Sequence, residues 1–190
     1  MLYLKKIKMK SNFYRIILFV AITIFLGCKT KNEPLETVAN VDLKSYVGKW
    51  YEIASFPQSF QKGCNCTTAE YKMDENYVKV INSCRLDSIN GKLKVADGKA
   101  FIVENSNNAK LKVQFFWPFK GDYWIIDLGP NYEYAVIGNE SREYLWILSR
   151  TPRMEKNSYD QLIERIKTKG FDVSKLQITN QGCNIVTSNK

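Results

Sequence analysis

The sequence predicts an all-β fold: an eight-stranded antiparallel up-and-down barrel with one C-terminal α-helix packed on its wall. Three observations lead there. Between Tyr46 and Arg150 the chain reads as eight short runs rich in aromatic and β-branched residues, parted by turn signals. The connections are short enough for each run to pair with its neighbour in sequence. One stretch of helical spacing follows, over Ser158 to Lys169. Closing eight strands into a barrel removes exposed sheet edges, and such a barrel is just wide enough to hold one small ligand.

The first run is Tyr46 to Phe56, ended by Pro57 and Gly63 in the loop after it. Thr67 to Met73 alternates, turns at Asp74-Glu75-Asn76, and returns as Tyr77 to Ile81, a hairpin signal. Asn90-Gly91 is the strongest turn dipeptide of the chain. Lys92 to Glu104 is a long strand with an expected interruption at Asp97-Gly98. Asn105 to Asn108 turns the chain into Lys110 to Phe115, whose alternation buries Leu111, Val113 and Phe115. Pro118 and Gly121 break it, and Tyr123–Leu128, Tyr132–Gly138 and Tyr144–Arg150 complete the set. In the helix, Tyr159, Leu162, Ile163 and Ile166 share one face, and Gly170 stops it. Leu176 to Thr179 is a candidate short ninth strand.

The 190 residues suit one domain, and an apolar share of 45% is enough for a sizeable core. The formal charge of +9 comes largely from the N-terminus, where Lys5, Lys6, Lys8, Lys10 and Arg15 stand without an acid before residue 28. Without that segment 23 basic residues face 19 acidic ones. A net +4 suits an anionic membrane surface or anionic ligand and is too weak, with no clustered basic stripe, for nucleic acid. Histidine is absent, which excludes Ser-His-Asp and Cys-His catalysis and every metal site that needs imidazole. No cofactor and no metal are expected.

The N-terminus reads as an address. The apolar run Ile16 to Leu26 is too short for a membrane span and the right length for a signal peptide. It ends in Phe25-Leu26-Gly27-Cys28, which resembles a bacterial lipobox, with Phe25 where Leu is usual. The resemblance implies cleavage before Cys28, acylation of that residue, and sorting to the outer membrane, since Lys29 rather than Asp follows. Acyl chains on Cys28 would anchor the protein, facing periplasm or cell surface. The expected organisation is therefore a signal peptide over 1–27, lipidated Cys28 and a tether over 28–41, a barrel over 42–183 and a tail over 184–190.

Four further cysteines remain: Cys64, Cys66, Cys84 and Cys183. In an exported protein they are expected as disulfides. A C-x-C pair cannot easily close on itself, so one of Cys64 and Cys66 should reach Cys84 and the other Cys183. Zinc would be the competing use, but paired C-x₂-C knuckles are missing.

Gly48-Lys49-Trp50-Tyr51-Glu52-Ile53-Ala54 resembles the G-x-W signature of lipocalins, with the continuation typical of bacterial and apolipoprotein D-like members. Asn131-Tyr132-Glu133-Tyr134-Ala135 sits where that family carries T-D-Y, without its Thr-Asp. Trp146-Ile147-Leu148-Ser149-Arg150-Thr151-Pro152 resembles the third family signature, built around its Arg. The resemblance covers about 42–183. It implies that Trp50 plugs the closed end of the barrel, that Arg150 lies over its ring, and that Gly48 opens the first strand. It also implies the pairs Cys66–Cys183 and Cys64–Cys84, because Cys66 stands where relatives place the Cys bonded to a C-terminal one.

A ligand would meet inward side chains. Leu111, Val113 and Phe115 come from alternation. For the next strand local polarity favours Trp124, Ile126 and Leu128 as buried, whereas the family's alternation favours Tyr123 and Ile125 inward, and the latter are taken. Ile137, Trp146 and Leu148 follow. Arg85, Arg142 and Arg153 are candidate partners for an acidic head group. This lining suits a fatty acid, lysophospholipid or phospholipid, bound by a membrane-anchored carrier that is not an enzyme. Another hydrophobic ligand, or a lipocalin-type enzyme, is the alternative; a homodimer stays open.

Overall fold

The computed structural model describes residues 33–184, so the leader, Cys28 and residues 185–190 lie outside the described residues. Pro34 onward forms one compact unit. Every strand, the covering helix and both disulfides lie within it, so residues 29–190 carry the complete barrel.

Eight antiparallel strands close the barrel: β1 (Gly48–Ser55), β2 (Cys64–Met73), β3 (Val78–Leu86), β4 (Leu93–Ile102), β5 (Lys110–Phe116), β6 (Phe119–Leu128), β7 (Tyr134–Gly138) and β8 (Leu145–Ser149). Each pairs with the next, and β1 pairs with both β2 and β8. Strand edges are thereby used up, as a chain this rich in β-formers requires.

Several boundaries differ from the sequence reading, each for a local reason. The first run does not start as a strand: Leu43–Tyr46 makes one turn of helix, α1. Asp42 caps it, accepting from the Lys44 amide at 3.0 Å and the Ser45 hydroxyl at 2.7 Å. β3 continues to Leu86 through the polar Asn82-Ser83, because Ser83 Oγ hydrogen-bonds Thr68 Oγ1 across the ladder at 2.9 Å. β4 is unbroken at Asp97-Gly98, which pair with Ile81 and Val80. β6 starts at Phe119, and Gly121, expected as a breaker, pairs with Val113 inside the ladder.

The helix α2 (Lys156–Thr168) begins two residues before Ser158 and ends at Gly170, whose φ of +85° suits glycine. Leu162 and Ile166 are buried against Ile126, Val136, Leu145 and Ile147 on the outer wall. Arg165 fixes the helix, donating to Asp127 Oδ2 at 2.7 Å and to the Tyr134 hydroxyl at 2.9 Å. That outer cluster explains why β6 is apolar on both faces: Ile125 belongs to the interior, Ile126 to the layer beneath the helix.

Two segments complete the wall. The short β9 (Gln177–Ile178) pairs with Ala54 and Ser55 of β1, where β2 turns away at a bulge. The tail fills the gap. Cys66 donates its amide to Asn180 O at 2.7 Å, and the Gln181 carboxamide bridges Glu52 O (2.9 Å) and Thr67 O (2.8 Å). The other segment is the stretch expected as a free tether, which is seated from Leu35 onward. Leu35 is buried in the outer cluster and its amide donates to Glu140 in the β7–β8 loop at 3.2 Å. Val38 and Val41 then donate to Ile125 O and Asn107 O, both at 3.0 Å. Apolar residues at 35, 38 and 41 give this arm its hold.

Candidate functional site

One end of the barrel is shut. Trp50, fully buried, lies across it, and its Nε1–H donates to Tyr46 O at 2.8 Å. The Arg150 guanidinium covers the indole, 3.8 Å from the ring centre. Its nitrogens donate to Tyr132 O (3.2 Å), Lys49 O (3.1 Å), Ser45 O (2.7 Å) and Tyr46 O (3.1 Å). Burial lowers its pKa, yet a guanidinium remains charged at any ordinary pH. Gly48, at φ +97°, brings the chain close under this group.

Above the plug runs an apolar lumen. Leu111, Ile125, Ile137 and Leu148 are buried in one cluster, with Val113, Phe115, Tyr123 and Trp146 half-buried against it. The opposite wall is built small. Ala69 of β2 and Ala100 of β4 face inward, and a Cβ on Gly98 would stand 2.8 Å from the Phe115 ring. Small residues from β2 and β4 thus face large, half-buried ones from β5, β6 and β8, and the end of the barrel opposite the plug is here the mouth.

Polar groups in this lumen are few and placed. Near the base, the Tyr123 hydroxyl hydrogen-bonds those of Tyr46 (2.6 Å) and Tyr71 (2.8 Å). Burial of the three hydroxyls raises each pKa: Tyr71 to about 12, Tyr46 and Tyr123 further. All three stay neutral donors and acceptors at physiological pH. Asn82, on the lumen side of β3 by alternation with Val78 and Val80, has its Oδ1 buried and unpaired. Toward the mouth Glu52 is buried and accepts from Ser55 Oγ (3.1 Å), Gln61 Nε2 (2.7 Å) and Thr179 Oγ1 (2.6 Å). Gln61 in turn accepts from Trp146 Nε1 at 2.9 Å, so this network fixes the indole at the lip.

Two hollows lie outside the lumen. One, of about 390 Å³, is on the lip beside Glu52, Gln61 and Lys62. The other, about 490 Å³, separates the tail from α2 beside Arg153, Tyr159 and Ile178. Both are open to solvent.

Residues 41–181 match the family model for the lipocalin-like domain. The chain belongs to the lipocalin family. This lipocalin is 38% identical over 168 residues to the outer membrane lipoprotein Blc of Vibrio cholerae, covering 87% of this chain and 98% of that one. It is 41% identical over 162 residues to temperature-induced lipocalin-1 of Arabidopsis thaliana, covering 80% and 86%. Insecticyanin from the tobacco hornworm Manduca sexta shares the fold, with a TM-score of 0.64 at 24% identity over 78% of this chain and 85% of that one.

In this lipocalin, Leu111, Val113, Phe115, Tyr123, Ile125, Ile137, Trp146 and Leu148 all stand in the interior cluster. Cys64 is bonded to Cys84 and Cys66 to Cys183. The three arginines considered for a head group are not brought together. Arg85, near the mouth end of β3, donates to Gly91 O at 3.3 Å and Arg142, in the β7–β8 loop, to Glu140 O at 2.6 Å, while Arg153 lies on the outer wall beside Ile53 and the tail. Sequence reading missed Tyr46, Tyr71, Ala69, Ala100 and Glu52. For the β2 pair the alternation of Thr67 to Met73 held the signal; for Glu52 nothing in the sequence did, since a carboxylate on a strand ordinarily faces water.

Proposed function

We propose that this lipocalin is a lipid-anchored carrier at a bacterial outer membrane that binds fatty acids, lysophospholipids or similar lipids. The observation that carries the reading is the lumen. Its lining is apolar and one end is closed by Trp50 and Arg150, which supports an acyl chain entering end-on from the mouth. Leu111, Val113, Phe115, Ile125, Ile137 and Leu148 would contact the chain, with Tyr123 and Trp146 bordering it at base and lip. A polar head group would remain at the mouth, where water and lysines can solvate it. Cys28 would carry the acyl anchor, and the likeness to outer membrane lipoproteins supports that location. Cys64, Cys66, Cys84 and Cys183 are held in disulfides, which supports binding over thiol catalysis.

The test is native mass spectrometry of residues 29–190 purified from an oxidising periplasm, with extraction of whatever is bound. A non-covalent adduct of fatty-acid or lysophospholipid mass is expected. An empty barrel that also refuses palmitate and lysophosphatidylethanolamine on titration would overturn the reading.

A further inference from the structure

The turn between β5 and β6 carries Phe116, Trp117 and Phe119, which are 78%, 87% and 77% exposed. They are joined by the cis bond to Pro118. Water-facing aromatics in a row are costly for a soluble surface, and no packing within the barrel explains them. With each side chain offering 150–250 Å², roughly 500 Å² of apolar surface stands free at one tip, a patch of the size that marks an interaction site.

The tip stands on the mouth. β5 ends and β6 begins at the end opposite Trp50, and nothing lies within 4 Å of where a Gly121 Cβ would be, so that face of the hairpin is uncovered. Phe60, Leu93 and Val95, each more than half exposed, lie on neighbouring parts of the same rim. Cations flank this side: Lys92 and Lys94 enter β4 and Lys62 precedes β2, while the Lys120 ammonium, next to the tip, lies over the Phe101 ring at 4.1 Å. The acids at this end are Asp87 in the β3–β4 turn and Glu140 and Glu143 in the β7–β8 loop, Glu140 being paired to Arg142, while Asp122 is paired to Lys112 at 2.6 Å.

From these residues we infer that the β5–β6 hairpin seats itself in a phospholipid bilayer, turning the mouth of the barrel toward the lipid. Trp and Phe with adjacent lysines match the membrane interface, where aromatic rings sit at head-group depth and lysines meet anionic lipid. A second copy of the chain fits less well. A stable pair buries about 800 Å² on each partner, more than this narrow tip offers. The entry of the chain agrees with a bilayer. Leu35 is held by the β7–β8 loop, also at the mouth end. Six residues lie between it and Cys28, and the seven Cα–Cα steps span at most about 25 Å. An acyl anchor on Cys28 would therefore hold the mouth end against the membrane. The contact does not require a bound ligand, so it goes beyond the carrier reading.

The experiment measures partition of unacylated residues 29–190 onto vesicles of phosphatidylethanolamine with phosphatidylglycerol. The wild type is compared with Phe116→Ser/Trp117→Ser/Phe119→Ser and with the single change Trp117→Glu. The wild type is expected to bind, and both variants to bind at least about tenfold more weakly. Brominated lipid should quench wild-type tryptophan emission, and Trp117→Phe should lose most of that quenching while still binding. Partition of both variants equal to wild type, or quenching that survives Trp117→Phe, would overturn the proposal. So would a wild type that ignores vesicles but sediments as a dimer the triple change dissolves. Palmitate titration of the triple variant separates the two readings: unchanged affinity with lost partition supports docking by the tip and leaves the carrier reading standing. Wild-type partition without any palmitate binding would remove the carrier reading and leave the docking supported.

Discussion

The guanidinium of Arg150 lies 3.8 Å above the centre of the Trp50 ring and donates to four carbonyls around it, those of Ser45, Tyr46, Lys49 and Tyr132. One side chain just past β8 thus ties down α1, the start of β1 and the turn before β7. The Tyr46 carbonyl takes hydrogen bonds from both Arg150 and Trp50, so plug and cover share an acceptor.

Arg150→Lys keeps the charge and loses the planar fork, so it cannot satisfy four carbonyls at once. It is expected to cost about 2–4 kcal/mol, through charged hydrogen bonds of about 1.5–3 kcal/mol and a cation–π contact of up to about 2, which do not add fully. Urea unfolding of the purified domain checks this. Ligand affinity should stay within a few-fold, because the plug lies beneath the lumen. A large loss of affinity with unchanged stability would contradict the role assigned to Arg150.

The buried tyrosines make stability fall in alkali. Their folded pKa values lie above the ordinary value of about 10, so between the two values the unfolded chain releases protons that the folded one keeps. Their contribution is complete below about pH 10 and is lost as pH rises toward and beyond 12. Tyr71 alone accounts for about 2–3 kcal/mol over that window. Denaturant midpoints from pH 8 to 11.5 should drop steeply above 10, and more shallowly in Tyr71→Phe. In Tyr123→Phe the Tyr46 and Tyr71 hydroxyls each lose their bond to Tyr123, costing about 1–3 kcal/mol already at neutral pH.

The two disulfides should differ in weight. Cys66–Cys183 spans 117 residues and Cys64–Cys84 spans 20. In the chain-entropy model the first contributes about 4–5 kcal/mol and the second about 3. Cys66→Ser/Cys183→Ser should also free the tail from its notch between β1 and β2, so amide exchange at Thr179 and Gln181 should quicken while that of β5 and β6 stays slow. Equal exchange at the tail with and without the bond would count against the notch as the bond's purpose.

Much of this was legible in the sequence. Eight strands and a helix follow from period and turn residues, because a half-buried strand and a wall helix must alternate in just those ways. The choice of Tyr123 and Ile125 over Trp124 and Ile126 was not decidable from polarity. Both faces of β6 are covered, one by the lumen and one by Leu162 and Ile166 of α2. Asn82-Ser83 read as a strand end because the partners that satisfy a polar strand residue, here Thr68, come from another strand. Glu52 was invisible as an interior group, since the donors that make its burial tolerable stand 3, 9 and 127 residues away.

The claim that an acyl chain occupies the lumen is tested most directly at Val113, half-buried on β5 and packed against the interior cluster. Palmitate and lysophosphatidylethanolamine would be titrated calorimetrically into the wild-type domain and into Val113→Trp, whose added ring would fill space rather than create a cavity. The account predicts one ligand per barrel for the wild type and at least about a tenfold loss for Val113→Trp with its fold retained. Equal affinity in a folded Val113→Trp would place the ligand elsewhere and contradict the account.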